Sequence, residues 1–451
     1  MKYLLLTFIV SLLSACTTME YLEEKQITND LTYHHDLDNN DNFSPDNEWL
    51  VYDTRTDEGG IAASGRIEKV NISTGEKKIV YQLPSNQPWG PGAGAVSYSP
   101  VENAVVFIHG LMSVTEANPY QQWRRTGVII NTDQPGGKPI FMDARDIRAP
   151  YTKGALRGGT HRHEWSGDGQ WIGYTYNDAV MKALEDSTSQ KHNLRTIGVS
   201  KRIGAVKVEK DSKGDNVSGE WFSALVVKVT PEPKPGTDEI SHAAGDSWVG
   251  THGYKKPDGS PQMARAFIGS VIDKNGKKVD EVFIVDIPDD ITKEGNSGPL
   301  AGTETAMPAP PEGTVQRRLT FTANTAQPGC VGIVRSAPDG QSLAFLAKDT
   351  KGILQIFTID PYGKNLTQVT HHDSPVEGYV RWHPSGKSLF YVWKGSIVKC
   401  NTGSESFEKR YQLLTKPSAP SPTNLVISHD GKTIAFNRLI GNAKQIFTGK
   451  L

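Results

Sequence analysis

The segment from Asp143 to His163 holds the side chains of this sequence that are best suited to chemistry. Five basic residues stand there against two aspartates, and the segment ends on a His-Arg-His sequence; the basic residues are Arg145, Arg148, Lys153, Arg157 and Arg162. Arginine binds carboxylates and sulfates through two parallel hydrogen bonds. The segment therefore predicts a binding site for an anionic ligand.

The His-Arg-His sequence adds a second kind of chemistry. Residues Thr160 to Trp165 have the pattern of a β-strand, in which alternation places His161 and His163 on one face and Arg162 on the other. Two imidazoles so placed can act as general bases or bind one divalent ion such as Mn²⁺, Ca²⁺ or Zn²⁺. A third ligand must then come from elsewhere in the fold, and the candidates are His34, His35, His371, His372 and His252.

Two further arginines extend the predicted anion site. Arg335 and Arg381 occupy comparable positions in the repeat described below, which predicts a ring of inward-facing arginines unless the strand register shifts by one residue. The predicted ligand-binding set is Arg157, Thr160, His161, Arg162, His163, Arg335 and Arg381. If the site is catalytic, the expected catalytic residues are His161, His163, Arg157 and Arg162.

A structural role is the alternative for the same residues. In that interpretation the histidines lie in solvent and the arginines brace loops by pairing with Asp143, Asp146 and Glu164. The tryptophans at repeat positions are expected to pack between neighbouring units rather than to bind sugars; they are Trp165, Trp171, Trp221 and Trp382. Both interpretations remain open at the level of the sequence.

The candidate residues lie within a repeated pattern that spans the chain. An aromatic or apolar residue is followed by a turn similar to Ser-Pro-Asp-Gly and then by an alternating apolar segment. Because proline fixes φ and Asp or Gly helps to reverse the chain, each copy predicts two antiparallel strands around a tight turn. Six clear copies begin at Phe43, Tyr98, Trp165, Ser336, Trp382 and Ile427.

The spacing of these copies predicts an all-β fold, a seven-bladed β-propeller. The long interval between the third and fourth clear copies has room for one more unit, with strands expected at 221–229, 266–272, 282–287 and 318–321. Proline-rich segments then become inserted loops around 231–262 and 288–314. A single propeller domain is expected over residues 25–451, after a linker over 16–24.

The last unit is expected to take its outer strand from the start of the domain. It stops at Gln445–Leu451, one strand short, and Gln26-Ile27-Thr28 has the same ending as the outer strands of later units. A ring closed by its N- and C-terminal strands leaves no sheet edge open at the junction. One helix, from Asp178 to Ser189, is expected beside the third blade.

Several motifs outside the repeat are more specific than the Ser-Pro-Asp-Gly turn. They lie at Ala149–His161, Tyr174–Asp178, Pro235–Ile240, Gly302–Thr305 and Val315–Phe321. In these motifs the chain resembles the YidR-like proteins, an uncharacterised bacterial propeller family related in pattern to TolB-type repeats. The resemblance implies a propeller from about residue 26 to the end of the chain, and it brings no established reaction.

Two functions remain open. Nucleotide-binding glycine motifs and His-Glu-x-x-His are absent, and Gly245–Gly250 lacks the spacing of a serine-hydrolase motif. The first function is a non-catalytic cell-envelope protein whose propeller binds a protein or an anionic glycan, as TolB-like repeats do. The alternative is a metal-assisted oligouronate lyase, because other seven-bladed propellers, including oligogalacturonate lyases, use histidines, arginines and a metal at the channel mouth.

The first residues of the chain predict a lipid anchor. Lys2 precedes an apolar run and the sequence Leu13-Ser14-Ala15-Cys16, which resembles the lipobox of bacterial lipoproteins. The resemblance implies a signal peptide over residues 1–15 and lipidation of Cys16. With Thr17 next in sequence, it also implies attachment to the outer membrane, facing the periplasm.

Composition limits the remaining classes. With 49 basic and 50 acidic side chains the net charge is -1, which argues against nucleic acid as a partner. A hydrophobic content of 37% in 451 residues supports a large core and excludes a disordered chain. Cys330 and Cys400 are expected to be buried and unpaired.

Overall fold

Seven β-sheets arranged in a ring, together with one small two-stranded sheet, form the described part of the molecule. The structure, a computed structural model, describes residues 21–37, 41–56, 60–134 and 136–451. The predicted signal peptide and Cys16 lie outside these residues. The sheets confirm the all-β, seven-bladed propeller. No helix in the described ranges is long and apolar enough to cross a membrane.

The strands of the first three blades follow one another in chain order. Strand β1 (Lys25–Gln26) precedes the first blade, which contains β2 (Trp49–Asp53), β3 (Arg66–Asn71) and β4 (Lys77–Gln82). The second blade contains β5 (Ala93–Tyr98), β6 (Ala104–Gly110), β7 (Arg125–Asn131) and β8 (Ile140–Phe141). The third contains β9 (Gly158–Trp165), β10 (Trp171–Asp178), β11 (Thr196–Lys201) and β12 (Phe222–Leu225).

The fourth blade interrupts this order with a small hairpin. It contains β13 (Ala243–Trp248), the hairpin strands β14 (Tyr254–Lys255) and β15 (Pro261–Gln262), then β16 (Ala264–Ile272), β17 (Lys278–Asp286) and β18 (Val315–Arg318). The fifth blade contains β19 (Cys330–Ser336), β20 (Leu343–Lys348), β21 (Leu354–Ile359) and β22 (Thr367–Gln368).

The last two blades complete the ring. The sixth contains β23 (Gly378–Trp382), β24 (Ser388–Trp393), β25 (Ser396–Asn401) and β26 (Tyr411–Leu413). The seventh contains β27 (Thr423–Ile427), β28 (Thr433–Ile440) and β29 (Ala443–Lys450). The helices are α1 (Gly60–Ala63), α2 (Ala179–Thr188), α3 (Phe407–Arg410) and a 3₁₀ turn at Thr322–Asn324.

The N-terminal strand closes the ring, as the sequence predicts. Strand β1 pairs antiparallel with β29, and the partners are Lys25 with Thr448 and Gln26 with Phe447. The pairing continues through Ile27, whose N–H donates to the carbonyl of Ile446 at 2.8 Å. The outer strand of the last blade therefore comes from the opposite end of the chain.

Local hydrogen bonds explain the repeated turn. In the third blade the Ser166 hydroxyl donates to Asp168 Oδ1 at 2.6 Å and accepts from the Trp171 N–H at 3.0 Å. The same two bonds form at Ser44 and Ser428 with the aspartate two residues later and the N–H five residues later. Because every partner lies within five residues, the sequence alone specifies this reversal.

The innermost strands contain an irregularity that the alternation pattern does not show. In β9, His161 pairs with Thr175 and Glu164 pairs with Gly173, so Arg162 and His163 together oppose one residue of β10. Arg162 has φ 56°, a left-handed conformation that permits this β-bulge. Register shifts recur in the innermost strands of blades two and four to seven.

The fourth blade differs from its prediction. Residues 221–229 do not start this blade, because β12 within them pairs with β11 as the outer strand of the third blade. The innermost strand is β13, which lies inside the segment 231–262 predicted as a loop. Its sequence, Ala-Ala-Gly-Asp-Ser-Trp, lacks apolar alternation, and its place depends on pairing with β16 and on neighbouring blades. Residues 287–314 connect β17 to β18.

Buried side chains join neighbouring blades. Trp248 Nε1 donates to the carbonyl of Glu164 at 3.0 Å, and Trp382 Nε1 donates to the carbonyl of Arg335 at 2.9 Å. Trp165 and Trp221 meet edge to face with centroids 5.8 Å apart. The four repeat-position tryptophans thus pack between blades as expected, and Cys330 and Cys400 are buried and unpaired.

Candidate functional site

The central channel opens into a cavity at the end where the repeated turns lie. We call this cavity the turn-side mouth and define it by its charged lining residues Asp41, Glu164, Arg335, Arg381 and His429. Its volume is about 430 Å³. These residues come from five different blades, so the ring as a whole positions them.

Three arginines of the predicted ligand-binding set, Arg162, Arg335 and Arg381, influence one another's charge here. Arg335 and Arg381 line the cavity. Burial, then the charges of Arg381 and Arg162, lower the pKa of Arg335, and burial followed by Arg162 lowers that of Arg381 to about 10. Arg335 and Arg381 remain protonated at neutral pH. Their mutual repulsion can be relieved by a bound anion.

A buried ion-pair network holds the wall of this mouth. Arg265 is fully buried, and its guanidinium pairs with Asp246 and lies 3.0 Å from Glu164 Oε2. Glu164 also accepts from the Trp248 N–H at 3.2 Å, and its other oxygen lies 3.9 Å from Arg335. The sequence analysis missed Arg265 and Asp246 as site residues because they lie on different strands, outside the basic segment.

Asp41 and His429 form the opposite wall. Their closest atoms, Asp41 Oδ1 and His429 Nε2, are 3.7 Å apart. Burial is the main cause that raises the pKa of Asp41, while the charges of His429 and Arg381 oppose it. His429 sits in a tight turn and lines the cavity, a role that its position in the sequence does not reveal.

Arg157 and Thr160 do not belong to this mouth. Arg157 is fully buried and donates two hydrogen bonds to Asp178 Oδ2, at 3.1 and 2.8 Å. It also donates to the carbonyls of Thr303 and Ala306, so it fastens the 287–314 connection to helix α2. Thr160 is buried against Asp143, with its hydroxyl 3.2 Å from Asp143 Oδ2. The structure therefore does not bring these two members of the predicted ligand-binding set to the mouth, and Arg157 has a bracing role of the kind that the structural alternative describes.

The bulge at Arg162 separates His161 from His163. His163 Nε2 lies 2.9 Å from the hydroxyl of Thr160, which regular alternation would place on the opposite face. The prediction that the two histidines share a face is therefore wrong. Burial, then the charge of Arg125, lowers the pKa of His163 to about 3, and burial also lowers that of His161 well below its usual value. Both rings are neutral at neutral pH.

The histidines proposed as metal ligands are dispersed. His34 Nδ1 accepts from the Lys444 N–H at 3.0 Å, and His35 lies between the rings of Tyr33 and Tyr52. On another blade, His372 stacks on Trp393 at 3.9 Å and His371 contacts Phe407. In the part of the chain that the structure describes, no three His, Cys, Asp or Glu side chains are placed to hold a metal ion. The structure therefore does not bring the predicted metal ligands together.

A second cationic pocket lies on the opposite face, where the innermost strands begin. We call it the strand-start pocket and define it by Gln122, Lys191, Arg195, His242 and Lys278. Its volume is about 480 Å³. Arg195 is held in place by Gln122 Oε1 at 2.8 Å and by Asn177 Oδ1 at 3.3 Å. The sequence analysis missed this pocket because its residues come from three separate connections and strand β17.

Comparison with known proteins identifies relatives of this chain. A family model described as a protein of unknown function (DUF3748) matches residues 92–215. The uncharacterised protein YidR of Escherichia coli (strain K12) is 40% identical over 410 residues, which cover 89% of this chain and 92% of YidR. This chain belongs to the YidR family. The match to the family model includes Glu164 of the turn-side mouth and Arg195 of the strand-start pocket.

Solved structures place the YidR-family fold beside known propellers. An oligogalacturonate lyase in complex with manganese has a TM-score of 0.54 at 12% identity, with 96% of each chain covered. The oligogalacturonate lyase of Vibrio parahaemolyticus has a TM-score of 0.54 at 10% identity, covering 95% of this chain and 93% of that one. At these identities the likeness establishes the shared fold.

Proposed function

We propose that this YidR-family propeller is a non-catalytic binding protein that captures an acidic oligosaccharide or an acidic segment of an envelope protein in its turn-side mouth. The observation that carries the proposal is the convergence of Arg335 and Arg381 from two blades at one cavity, within reach of the charge of Arg162 from a third. Guanidinium groups recognise carboxylates in two-point contacts.

The cavity fits a ligand of this kind in size and lining. Its volume of about 430 Å³ falls within the range of about 300–1,000 Å³ found for small-molecule sites. Trp382 lines the same cavity and adds apolar surface beside Arg335 and Arg381. Glu164 and the buried Arg265 fix the wall, so that the arginines are already oriented before a ligand enters.

A lyase mechanism is the less favoured second candidate. It needs a base at the sugar C–H and a cation that neutralises the uronate carboxylate. The neighbours named oligogalacturonate lyases share the fold with this chain, but His161 and His163 are buried away from the cavity lining and the dispersed histidines do not fit a metal centre. Arg335 and Arg381 are suited to the carboxylate, but the predicted bases His161 and His163 do not line the cavity beside them.

The cellular setting of the proposal is the outer membrane, with lipid on Cys16 and the propeller facing the periplasm. The lipobox-like sequence Leu13-Ser14-Ala15-Cys16 supports this setting. Radiolabelled palmitate should be incorporated by the full chain and not by the Cys16→Ser variant. Equal labelling of both chains would contradict the anchor.

The binding proposal can be tested by calorimetry with trigalacturonate and, as a neutral control, maltotriose. We expect saturable binding of trigalacturonate only, weakened about 10- to 100-fold by Arg381→Ala because one charged hydrogen-bonding partner is lost. Arg317→Ala is the matched control, because Arg317 pairs with Asp286 outside the cavity lining.

A protein partner is tested in cells with a photo-crosslinker at Pro384, which lines the mouth. A reproducible acidic envelope partner that is lost in Arg381→Ala cells would support the protein form of the proposal. Failure of both experiments, with no trigalacturonate binding and no such partner, would overturn it.

A further inference from the structure

The strand-start pocket concentrates positive charge without carboxylates in its wall. Lys191, Arg195, His242 and Lys278 face one space, and the other described lining residues are amides, a hydroxyl and apolar groups. Acidic groups lie behind this wall: Glu185 Oε2 is 3.2 Å from Lys191 Nζ, and the charges of Asp246 and Asp280 act on Arg195 and His242. None of these carboxylates lines the cavity itself.

The shape of the pocket depends on close backbone packing. A Cβ on Gly159 would lie only 2.2 Å from the Gln122 carbonyl, so this glycine lets the second-blade connection approach β9. Gln122 then holds one side of the Arg195 guanidinium, while Asn177 holds the other. Both partners are neutral amides. Arg195 is therefore oriented without being neutralised by them.

A buried ring points to further unfilled hydrogen-bonding capacity near this pocket. His161 is 4% exposed, and neither ring nitrogen has a hydrogen-bond partner among the described residues. The charges of Arg125 and Arg195 act on this ring and lower its pKa, after the larger effect of burial. Buried polar atoms of this kind are normally paired with protein, water or ligand.

We propose that the strand-start pocket binds a tetrahedral oxyanion, the phosphate or sulfate group of a small molecule. Four groups able to carry positive charge surround one space, which suits a dianion with three or more acceptor oxygens better than a single carboxylate. This site is separate from the carboxylate site of the turn-side mouth and takes a different class of ligand.

His242 gives the site a pH dependence. Burial, then Arg195 and Lys278, lower its pKa, and Asp280 opposes them. The free ring is therefore neutral at pH 7, and a bound dianion favours its protonation. Sulfate stays a dianion from pH 8 to 5.5, so its affinity should rise on acidification.

The main test is calorimetric titration with inorganic sulfate and inorganic phosphate. We expect saturable binding of both ions that weakens at least tenfold in the Lys191→Ala, Lys278→Ala double variant. Lys277→Ala is the matched control, because Lys277 is exposed on the same hairpin and does not line the pocket; its affinity should stay within twofold. Absence of saturable binding, or unchanged binding in the double variant, would overturn the proposal.

Three further arms sharpen the test. If a hexose phosphate or hexose sulfate binds more tightly than its inorganic ion, the proposal is supported and the oxyanion is identified as part of a small molecule. Trigalacturonate that displaces sulfate and binds more tightly would assign the pocket to carboxylates and overturn the proposal. Arg381→Ala should leave sulfate binding at the strand-start pocket unchanged, so this proposal is tested independently of the turn-side function.

The pH arm compares wild-type protein with His242→Gln. The wild-type affinity for sulfate should rise several-fold from pH 8 to 5.5, whereas that of the variant should stay flat. Equal slopes in the two proteins would overturn the assignment of His242 as a contact. Thermal melting of each variant checks that the exposed substitutions leave the fold intact.

Discussion

The two cationic sites of this propeller differ in what holds their charges. At the turn-side mouth, the buried Arg265 pairs with Asp246 and Glu164, and that network supports Arg335. In the strand-start pocket, Lys191 and Lys278 are exposed, and Arg195 is held by amides. Buried ion pairs fix the geometry of a site at a cost in desolvation free energy. Exposed charges attract ligands at long range, and dissolved salt weakens this attraction. If both sites bind as proposed, the first should select its ligand by shape and the second should attract its ligand by charge.

The largest effect should come from breaking the buried pair at the turn-side mouth. Arg265→Met leaves Asp246 and Glu164 without their guanidinium, and we expect the free energy of unfolding to fall by about 3–5 kcal/mol. Urea denaturation measures it. The control is Arg317→Met on the same blade, whose partly exposed pair with Asp286 should be worth about 0–1 kcal/mol. Equal losses of unfolding free energy in the two variants would contradict the special structural role of the buried Arg265 pair.

Acid should lower the free energy of unfolding through His163 in β9, the strand that runs between the two sites. His163 has a pKa lowered to about 3, against about 6.5 in the unfolded chain, so its contribution is complete above pH 6.5 and is lost as the pH falls towards 3. Between pH 7 and 5 this single group should account for about 2 kcal/mol of lost unfolding free energy.

Urea titrations of wild type and His163→Gln at both pH values measure that contribution. The quantity compared is the change in unfolding free energy from pH 7 to 5, so that any loss of stability common to both pH values cancels. We expect that change to be smaller in the variant. The same change in both proteins would show that His163 does not titrate on unfolding in this range.

The smallest expected effect is a difference between the two sites in how strongly salt weakens ligand binding. Raising the salt concentration from 0.05 to 0.5 M should weaken sulfate at the strand-start pocket about tenfold and trigalacturonate at the turn-side mouth about threefold, because exposed lysines are screened more than buried arginines. Calorimetry at the two salt concentrations measures both. A steeper salt dependence at the turn-side mouth would reverse the proposed contrast.

The fold was accessible from the sequence because its signals are local. The Ser166 turn closes through Asp168 and Trp171, all within five residues, and the same spacing repeats around the ring. The repeat also aligns Arg335 with Arg381, which is why their shared cavity could be predicted. The fourth blade was misassigned because β13 carries glycine and polar residues where the pattern requires apolar ones.

The failures at the candidate site have a different cause. The bulge at Arg162 adds one residue to β9 and undoes the alternation that paired His161 with His163. Arg157 looked like a ligand contact, but its partners Asp178 and Ala306 lie 21 and 149 residues away. Neither the extra residue nor the distant partners leave a signal in the local pattern.

The sequence by itself determined the turns and most of the repeated strands, because these depend on short-range hydrogen bonds and on side-chain periodicity. It also indicated the closure of the ring, because the last repeat lacks an outer strand that the first residues of the domain match. The tertiary structure decided which charged groups share a cavity. Arg265 is neutralised by Asp246 and Glu164, whereas Arg195 meets only amides in its hydrogen bonds with Gln122 and Asn177. Whether an arginine supports the wall or faces a ligand depends on partners brought together from different strands and blades.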